Sequence, residues 1–159
     1  MNFNLYQLVF DNIKLISPKL REKSLEIEYI SPFTDLNIYA DRDLMEVVVR
    51  NILNNAVKYS KQGDTIQLSV EVSNDLITWC VKDQGVGMEE EQINELLSTE
   101  YVISDSKLGT KMEKGSGLGL QICKEFTRMN GGKLIIQSQK NEGTLVCVKM
   151  PASKVLLSN

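Results

Sequence analysis

The sequence predicts a mixed α/β domain. Apolar residues recur every three or four positions in several long segments, they alternate with polar ones in several shorter segments, and clusters of Gly, Asn, Asp, Ser or Pro separate the two kinds. Residues 5–23 read as a helix, with Leu5, Leu8, Val9, Ile13, Ile16 and Leu20 on one face and Pro18 as a point of bending. Leu25, Ile27 and Tyr29 alternate with Ser24, Glu26 and Glu28 as a half-buried strand, expected to form a hairpin with residues 36–40 across the Ser31-Pro32 turn. Asp41 caps the next helix, which runs through Leu44, Met45, Val48, Val49, Ile52, Leu53 and Ala56 until Gln62-Gly63-Asp64 stops it.

Residues 65–72 and 76–83 follow as strands joined by Ser73-Asn74-Asp75, and residues 89–97 as a short helix whose acidic start suits its dipole. Residues 98–116 lack any sustained apolar pattern, and a loop of this length in a compact domain predicts a functional lid. A further helix opens in Gly115-Ser116-Gly117-Leu118-Gly119 and continues through Leu120, Ile122, Cys123, Phe126 and Met129 to Asn130-Gly131-Gly132. Residues 134–139 and 144–150 form a closing hairpin, and Pro151 begins a short tail.

The 159 residues amount to one domain, 1–159, able to bury a core without staples. With 18 Lys+Arg against 21 Asp+Glu, the net charge of −3 argues against a nucleic-acid partner, whose binder would usually be basic. No run approaches the roughly 18 apolar residues of a membrane span, and the N-terminus lacks the layout of a signal peptide, so a cytoplasmic location is expected. Cys80, Cys123 and Cys147 are an odd set with no CxxC spacing, which predicts reduced, buried thiols rather than a disulfide or zinc site. Histidine is absent, which excludes Ser-His-Asp and Cys-His triads and imidazole-ligated metals within these residues.

Chemistry then rests on three segments. In Asn51-Ile52-Leu53-Asn54-Asn55-Ala56-Val57-Lys58-Tyr59, the spacing lets Asn51, Asn55, Lys58 and Tyr59 share one polar helix face, and an asparagine oxygen is a neutral hard ligand suited to Mg²⁺. Asp83-Gln84-Gly85-Val86-Gly87 sets a carboxylate at the end of a strand, where it can accept a hydrogen bond from an exocyclic amino group and so favour adenine over guanine. Gly115-Ser116-Gly117-Leu118-Gly119-Leu120 opens a helix whose amides and dipole make an anion site. It is not a Walker A loop, because no Gly-Lys-Ser/Thr ends it, nor a dinucleotide fingerprint, because no strand feeds directly into it.

In order and spacing the three segments resemble the N box (51–59), the first glycine box (83–87) and the second glycine box (115–120) of the ATP-binding catalytic domain of sensor histidine kinases, within the GHKL ATPase superfamily. The resemblance covers nearly the whole chain. It implies a two-layer α/β sandwich of the Bergerat type, in which a mixed sheet is covered on one face by helices and ATP lies between the helices and the lid. It implies that Asn55 binds Mg²⁺, that Asn51 and Lys58 lie by the phosphates, that Tyr59 lines the nucleotide pocket and that Asp83 bonds the adenine amino group. Gly85 and Gly87 would shape the adenine side, and Gly115, Gly117, Leu118 and Gly119 would flank the phosphates, with lid lysines such as Lys107, Lys111 or Lys114 offsetting charge. The chain departs from the family's Phe-rich F box, offering Leu96, Leu97 and Tyr101 instead.

The activity implied is transfer of the γ-phosphoryl group of ATP, with Asn55 and Lys58 as catalytic residues, to a histidine on a separate dimerisation and phosphoacceptor domain in a two-component phosphorelay. The other partner implied is a downstream response regulator, and the domain alone is expected to be a monomer. Two other readings stand beside it: a serine kinase similar to anti-sigma factors, and a nucleotide-gated interaction module without turnover. Chaperone and mismatch-repair ATPases fit less well, because Arg50-Asn51 offers no counterpart of their hydrolytic glutamate.

Overall fold

The computed structural model describes residues 1–98 and 118–153. Its elements are β1 (Asn2–Asn4), α1 (Leu5–Glu22), β2 (Glu26–Tyr29), β3 (Asn37–Tyr39), α2 (Arg42–Tyr59), β4 (Thr65–Ser73), β5 (Leu76–Asp83), α3 (Glu90–Ser98), α4 (Leu118–Met129), β6 (Lys133–Gln139) and β7 (Gly143–Pro151). A five-stranded sheet in the order β2-β4-β5-β7-β6 forms one layer, and β1 with β3 forms a separate two-stranded sheet.

Period-two patterning gives the large sheet its two faces. Ile66, Leu68 and Val70 of β4, Ile77, Trp79 and Val81 of β5, Val146 and Val148 of β7, and Leu134 and Ile136 of β6 are buried in one cluster with the apolar stripes of α1, α2 and α4. On the other face Glu71, Lys82 and Gln137 are exposed. The architecture is the expected two-layer sandwich, a mixed sheet with helices on one side. Pairing is antiparallel except for β2 with β4.

That exception corrects the expected hairpin of residues 25–29 with 36–40. β2 pairs parallel with β4, Glu26 opposite Thr65 and Tyr29 opposite Leu68. The strand continues past Tyr29, since the Ile30 N–H donates to the Leu68 carbonyl at 3.0 Å, and the Ser31 hydroxyl both accepts from the Val70 N–H at 2.7 Å and donates to the Val70 carbonyl at 3.0 Å. Residues 37–39 instead pair with β1, Phe3 opposite Ile38. The large sheet thus gains an edge strand whose Ile27 and Tyr29 pack on the core, while Ile38, fully buried, is held by the smaller sheet.

The cysteine expectation is corrected as well. Cys80 and Cys147 stand directly opposite one another on β5 and β7 and form a disulfide, and only Cys123 is a free, buried thiol. Sequence spacing misled here because the two residues lie 67 positions apart and meet only through strand register.

Helix α2 is fixed at both ends. At its start the Asp41 carboxylate accepts from the Leu44 N–H at 3.1 Å, and the Asn130 side chain accepts from the Asp41 N–H at 2.8 Å, tying α2 to the end of α4. At its finish the Lys23 ammonium, reaching over from the end of α1, donates to the carbonyls of Val57, Lys58 and Ser60 at 2.8, 3.0 and 2.9 Å. A cation there satisfies carbonyls that have no partner within the helix and opposes the negative end of its dipole. Replacing Lys23 with Met should cost about 1 to 2 kcal/mol, read as a fall of several degrees in the thermal midpoint, and an unchanged midpoint would show the clamp to be idle.

Candidate functional site

The site is organised along α2. Its apolar face, from Met45 through Val48, Val49, Ile52, Leu53 and Ala56 to Val57, is buried, which turns the remaining face outward. Asn51 and Asn55 are half-buried on it, and Lys58 and Tyr59 are exposed one turn further on. The Lys58 ammonium lies 5.2 Å from the centroid of the Tyr59 ring. The Asn51 side chain donates to the Val47 carbonyl at 2.8 Å. The described hydrogen bonds give the Asn55 amide no protein partner.

Two glycines seat the neighbouring segments against the two ends of this face. A Cβ built on Gly119, in the first turn of α4, would lie 3.0 Å from Oδ1 of Asn51, so the missing side chain lets the start of α4 approach the asparagine. A Cβ on Gly85 would lie 2.2 Å from the Tyr59 carbonyl oxygen, so only glycine lets the loop after β5 rest on the end of α2. Eight residues separate Asn51 from Tyr59, about 12 Å of helix.

Asp83, 7% exposed, ends β5 on the face that the helices cover. Its Oδ1 accepts from the Gly85 N–H at 2.9 Å and from the Thr144 N–H at 3.2 Å. Burial pushes the carboxyl above its ordinary value, the two amides pull it back, and the charge of Asp64 adds to the rise. With Oδ1 taken by two donors, Oδ2 is the oxygen left to face a ligand.

The loop that follows is tied to the turn between β6 and β7, which sequence reasoning missed. The Asn141 N–H donates to the Val86 carbonyl at 2.7 Å and the Met88 N–H to the Ser138 hydroxyl at 2.7 Å. Gly87 packs so closely that a Cβ would meet the Gln139 carbonyl, and Gly143, at φ +88°, does the same against the Asp83 carbonyl. A Gly at the start of a strand after Lys-Asn-Glu was the one signal available, and it reads as an ordinary hairpin turn.

Of the residues singled out from sequence, the structure brings Asn51 to Gly119, and Tyr59 to Gly85 and Asp83, with Asn55 and Lys58 on the helix between them. Gly115 and Gly117 lie outside the described residues, as do the side chain of Leu118, the expected lid lysines and Tyr101. Leu96 and Leu97, which stand in for the F box, pack partly buried against the core. Among the described residues no group of three or more Cys, Asp or Glu side chains could hold a metal ion, and no helix is long and apolar enough to cross a membrane.

Known proteins bear on the family and the fold. Residues 40–154 match the family described as histidine kinase-, DNA gyrase B- and HSP90-like ATPases. The chain is 30% identical over 133 residues to the sensor histidine kinase WalK of Bacillus subtilis, covering 81% of this chain and 21% of that protein. It is 32% identical over 123 residues to the sensor histidine kinase YvrG of the same organism, covering 77% and 21%. The chain therefore spans about a fifth of the length of these curated relatives. Among solved structures, the nucleotide-free catalytic domain of histidine kinase ThkA superposes with a TM-score of 0.78 at 24% identity, covering 96% of this chain and 95% of that one. Full-length ShkA in complex with AMPPNP superposes with a TM-score of 0.73 at 21% identity, covering 96% and 31%. The chain belongs to the histidine kinase-, DNA gyrase B- and HSP90-like ATPase family, as a nucleotide-binding domain with the fold of histidine kinase catalytic domains.

Proposed function

We propose that this chain is the catalytic domain of a sensor histidine kinase, which binds ATP with Mg²⁺ and donates its γ-phosphoryl group to a histidine on a dimerisation and phosphoacceptor domain of the same protein, for onward transfer to a response regulator. The observation that carries it is the convergence of two separate glycine-bearing segments on the asparagine-bearing helix α2, Gly85 against Tyr59 at one end and Gly119 against Asn51 at the other. In this reading Asp83 and Tyr59 receive adenine, with Gly85 and Gly87 forming the floor of that end, and the triphosphate runs along α2 toward Asn51 and the amides at the start of α4. Gly115, Gly117 and Leu118 would complete the phosphate end.

The residues fit Mg²⁺ on one count that matters for that ion. Asn55 offers an amide oxygen with no protein partner among the described residues, half-buried on the polar face of α2, and Mg²⁺ characteristically takes one or two protein oxygens and fills its remaining positions from phosphates and water. When bound, the ion would supply charge neutralisation across the phosphate chain. Lys58 contributes a cation on the same face, and positioning together with charge neutralisation makes up most of phosphoryl-transfer catalysis. The domain is proposed to be monomeric and to be the cytoplasmic portion of a kinase, and its match to the curated relatives spans about a fifth of their length.

The test follows from a chain with 0 histidines. Incubated with radiolabelled Mg-ATP, it should bind nucleotide and acquire no acid-labile label, and adding the parent's phosphoacceptor helices should yield an acid-labile, alkali-stable phosphoryl group on their histidine. Acid-stable label on a serine-bearing partner would favour a serine kinase instead. Tight binding with no transfer to that module would leave a nucleotide-gated interaction module.

A further inference from the structure

We propose that Cys80 and Cys147 form a reversible thiol–disulfide exchange site on the open face of the sheet, taking small-molecule thiols and their disulfides, and that its state adjusts nucleotide affinity. The second half of this proposal rests on the nucleotide reading above.

Position comes first. The two cysteines face one another across β5 and β7 with Cα atoms 4.1 Å apart, close to the roughly 4.5 Å of a non-hydrogen-bonded antiparallel pair, so the fold brings the sulfurs together without backbone rearrangement. Their rung continues to Ser69 on β4 and Ile135 on β6, on the side of the sheet away from the helices. Cys80 is half-buried and Cys147 6% exposed, so a small thiol can reach the Cys80 side of the bond. Cys123 offers the internal contrast, being fully buried among the helices with a thiol pushed far above its ordinary range by burial, and it stands apart from the exchange.

The exchange balances without any group beyond the small thiol. A thiolate attacks Sγ of Cys80, the Cys80–Cys147 bond breaks, and Cys147 leaves as a thiolate. A second thiolate attacks the sulfur of the mixed disulfide, releasing Cys80 and a small-molecule disulfide. Two thiols deliver two electrons and two protons, and the reverse reaction uses the small disulfide as oxidant.

Coupling to the site follows from register. Cys80 lies three residues before Asp83, and Cys147 three after Thr144, and these partners close the β5–β7 ladder. The Thr144 N–H is one of the two donors that hold Oδ1 of Asp83. The disulfide therefore pins the ladder just upstream of the carboxylate proposed to read adenine, and opening it frees the last rungs to fray.

The test equilibrates the purified chain at graded ratios of reduced to oxidised glutathione, traps thiols by alkylation for mass spectrometry and measures ADP affinity at each ratio. Cys80 and Cys147 should become alkylatable together in the folded protein and close again on reoxidation, while Cys123 stays unlabelled. The ADP dissociation constant should rise about fivefold on reduction, the low end of coupling between sites. A variant carrying Cys80→Ser and Cys147→Ser should bind ADP as the reduced protein does and ignore the ratio. Absence of the disulfide at every ratio, or its reduction only under denaturant, overturns the exchange site. ADP affinity that is equal in both states overturns the coupling. Reversible exchange with no ADP binding in either state supports the site and overturns the nucleotide reading on which the coupling rests.

Discussion

Replacing Asp83 with asparagine should weaken ADP binding about tenfold or more while leaving the thermal midpoint unchanged or higher. The two carboxylate oxygens play separate parts. Oδ1 is held by the Gly85 and Thr144 amides, and an asparagine oxygen can accept both bonds, so the loop keeps its shape. The other position changes from an acceptor to an NH₂ donor, which would confront the adenine amino group with a second donor. Losing a hydrogen bond to a charged group is worth about 1.5 to 3 kcal/mol, hence the size of the effect.

The stability half follows from the direction of the Asp83 shift. Its carboxyl in the folded chain is raised above the ordinary 3.8, chiefly by burial. The folded state therefore holds this proton more tightly than the unfolded state, and the stability it confers is present below the ordinary value and lost as pH climbs through the raised one. At neutral pH the ionised group is a cost, which asparagine removes. Asp83→Ala, by contrast, leaves two amides without an acceptor and should lower the midpoint. ADP affinity in the unaltered protein should fall as pH drops through the raised value. Calorimetry and thermal melts check all of this, and an asparagine variant with unchanged ADP affinity would remove Asp83 from the adenine site.

What sequence reveals and what it hides divide along the range of the interactions. The helical stripe of α2, the Asp41 cap and the alternation of β4, β5, β6 and β7 are local patterns, and each appears in the structure within a residue or two of its expected bounds. The partner of β2 is not local. A parallel pair joins strands across an entire helix, so nothing near Leu25 or Tyr29 marks β4 rather than residues 36–40 as the neighbour. β1, three residues long, is too short to show a period.

The site divides the same way. The placement of Asn51 and Asn55 together on α2 and of Asp83 at the end of β5 is legible, because it follows from local spacing. The supports were not: Lys23 reaches α2 from a residue whose surroundings read as a routine helix end, and Thr144 holds Asp83 through a backbone amide, which any residue would supply. The cysteine pair fails for a related reason. Whether two cysteines meet depends on the register of β5 against β7, and a shift of one residue would turn the side chains to opposite faces.

Asn55→Ala should abolish most phosphoryl transfer, by about a hundredfold or more, without destabilising the domain. Its side chain has no hydrogen-bonded protein partner among the described residues, so truncation leaves no donor or acceptor orphaned, and alanine is the better helix former. The thermal midpoint of the free protein should stay level or rise slightly. Activity is another matter if the amide oxygen holds Mg²⁺, because removing one positioned source of transition-state stabilisation costs about 10²- to 10³-fold in comparable sites. The same variant should also lose the dependence of ADP affinity on Mg²⁺ while retaining the preference for adenine, since Asp83 rather than Asn55 is proposed to meet the adenine amino group. Asn51→Ala serves as the comparison: its amide also bonds the Val47 carbonyl and meets the start of α4, so its loss should lower the midpoint as well as the affinity. Phosphotransfer assays with the parent's phosphoacceptor helices, run beside thermal melts, separate the two. Full activity in the Asn55 variant, or ADP binding that keeps its Mg²⁺ dependence, would show that the ion is held elsewhere.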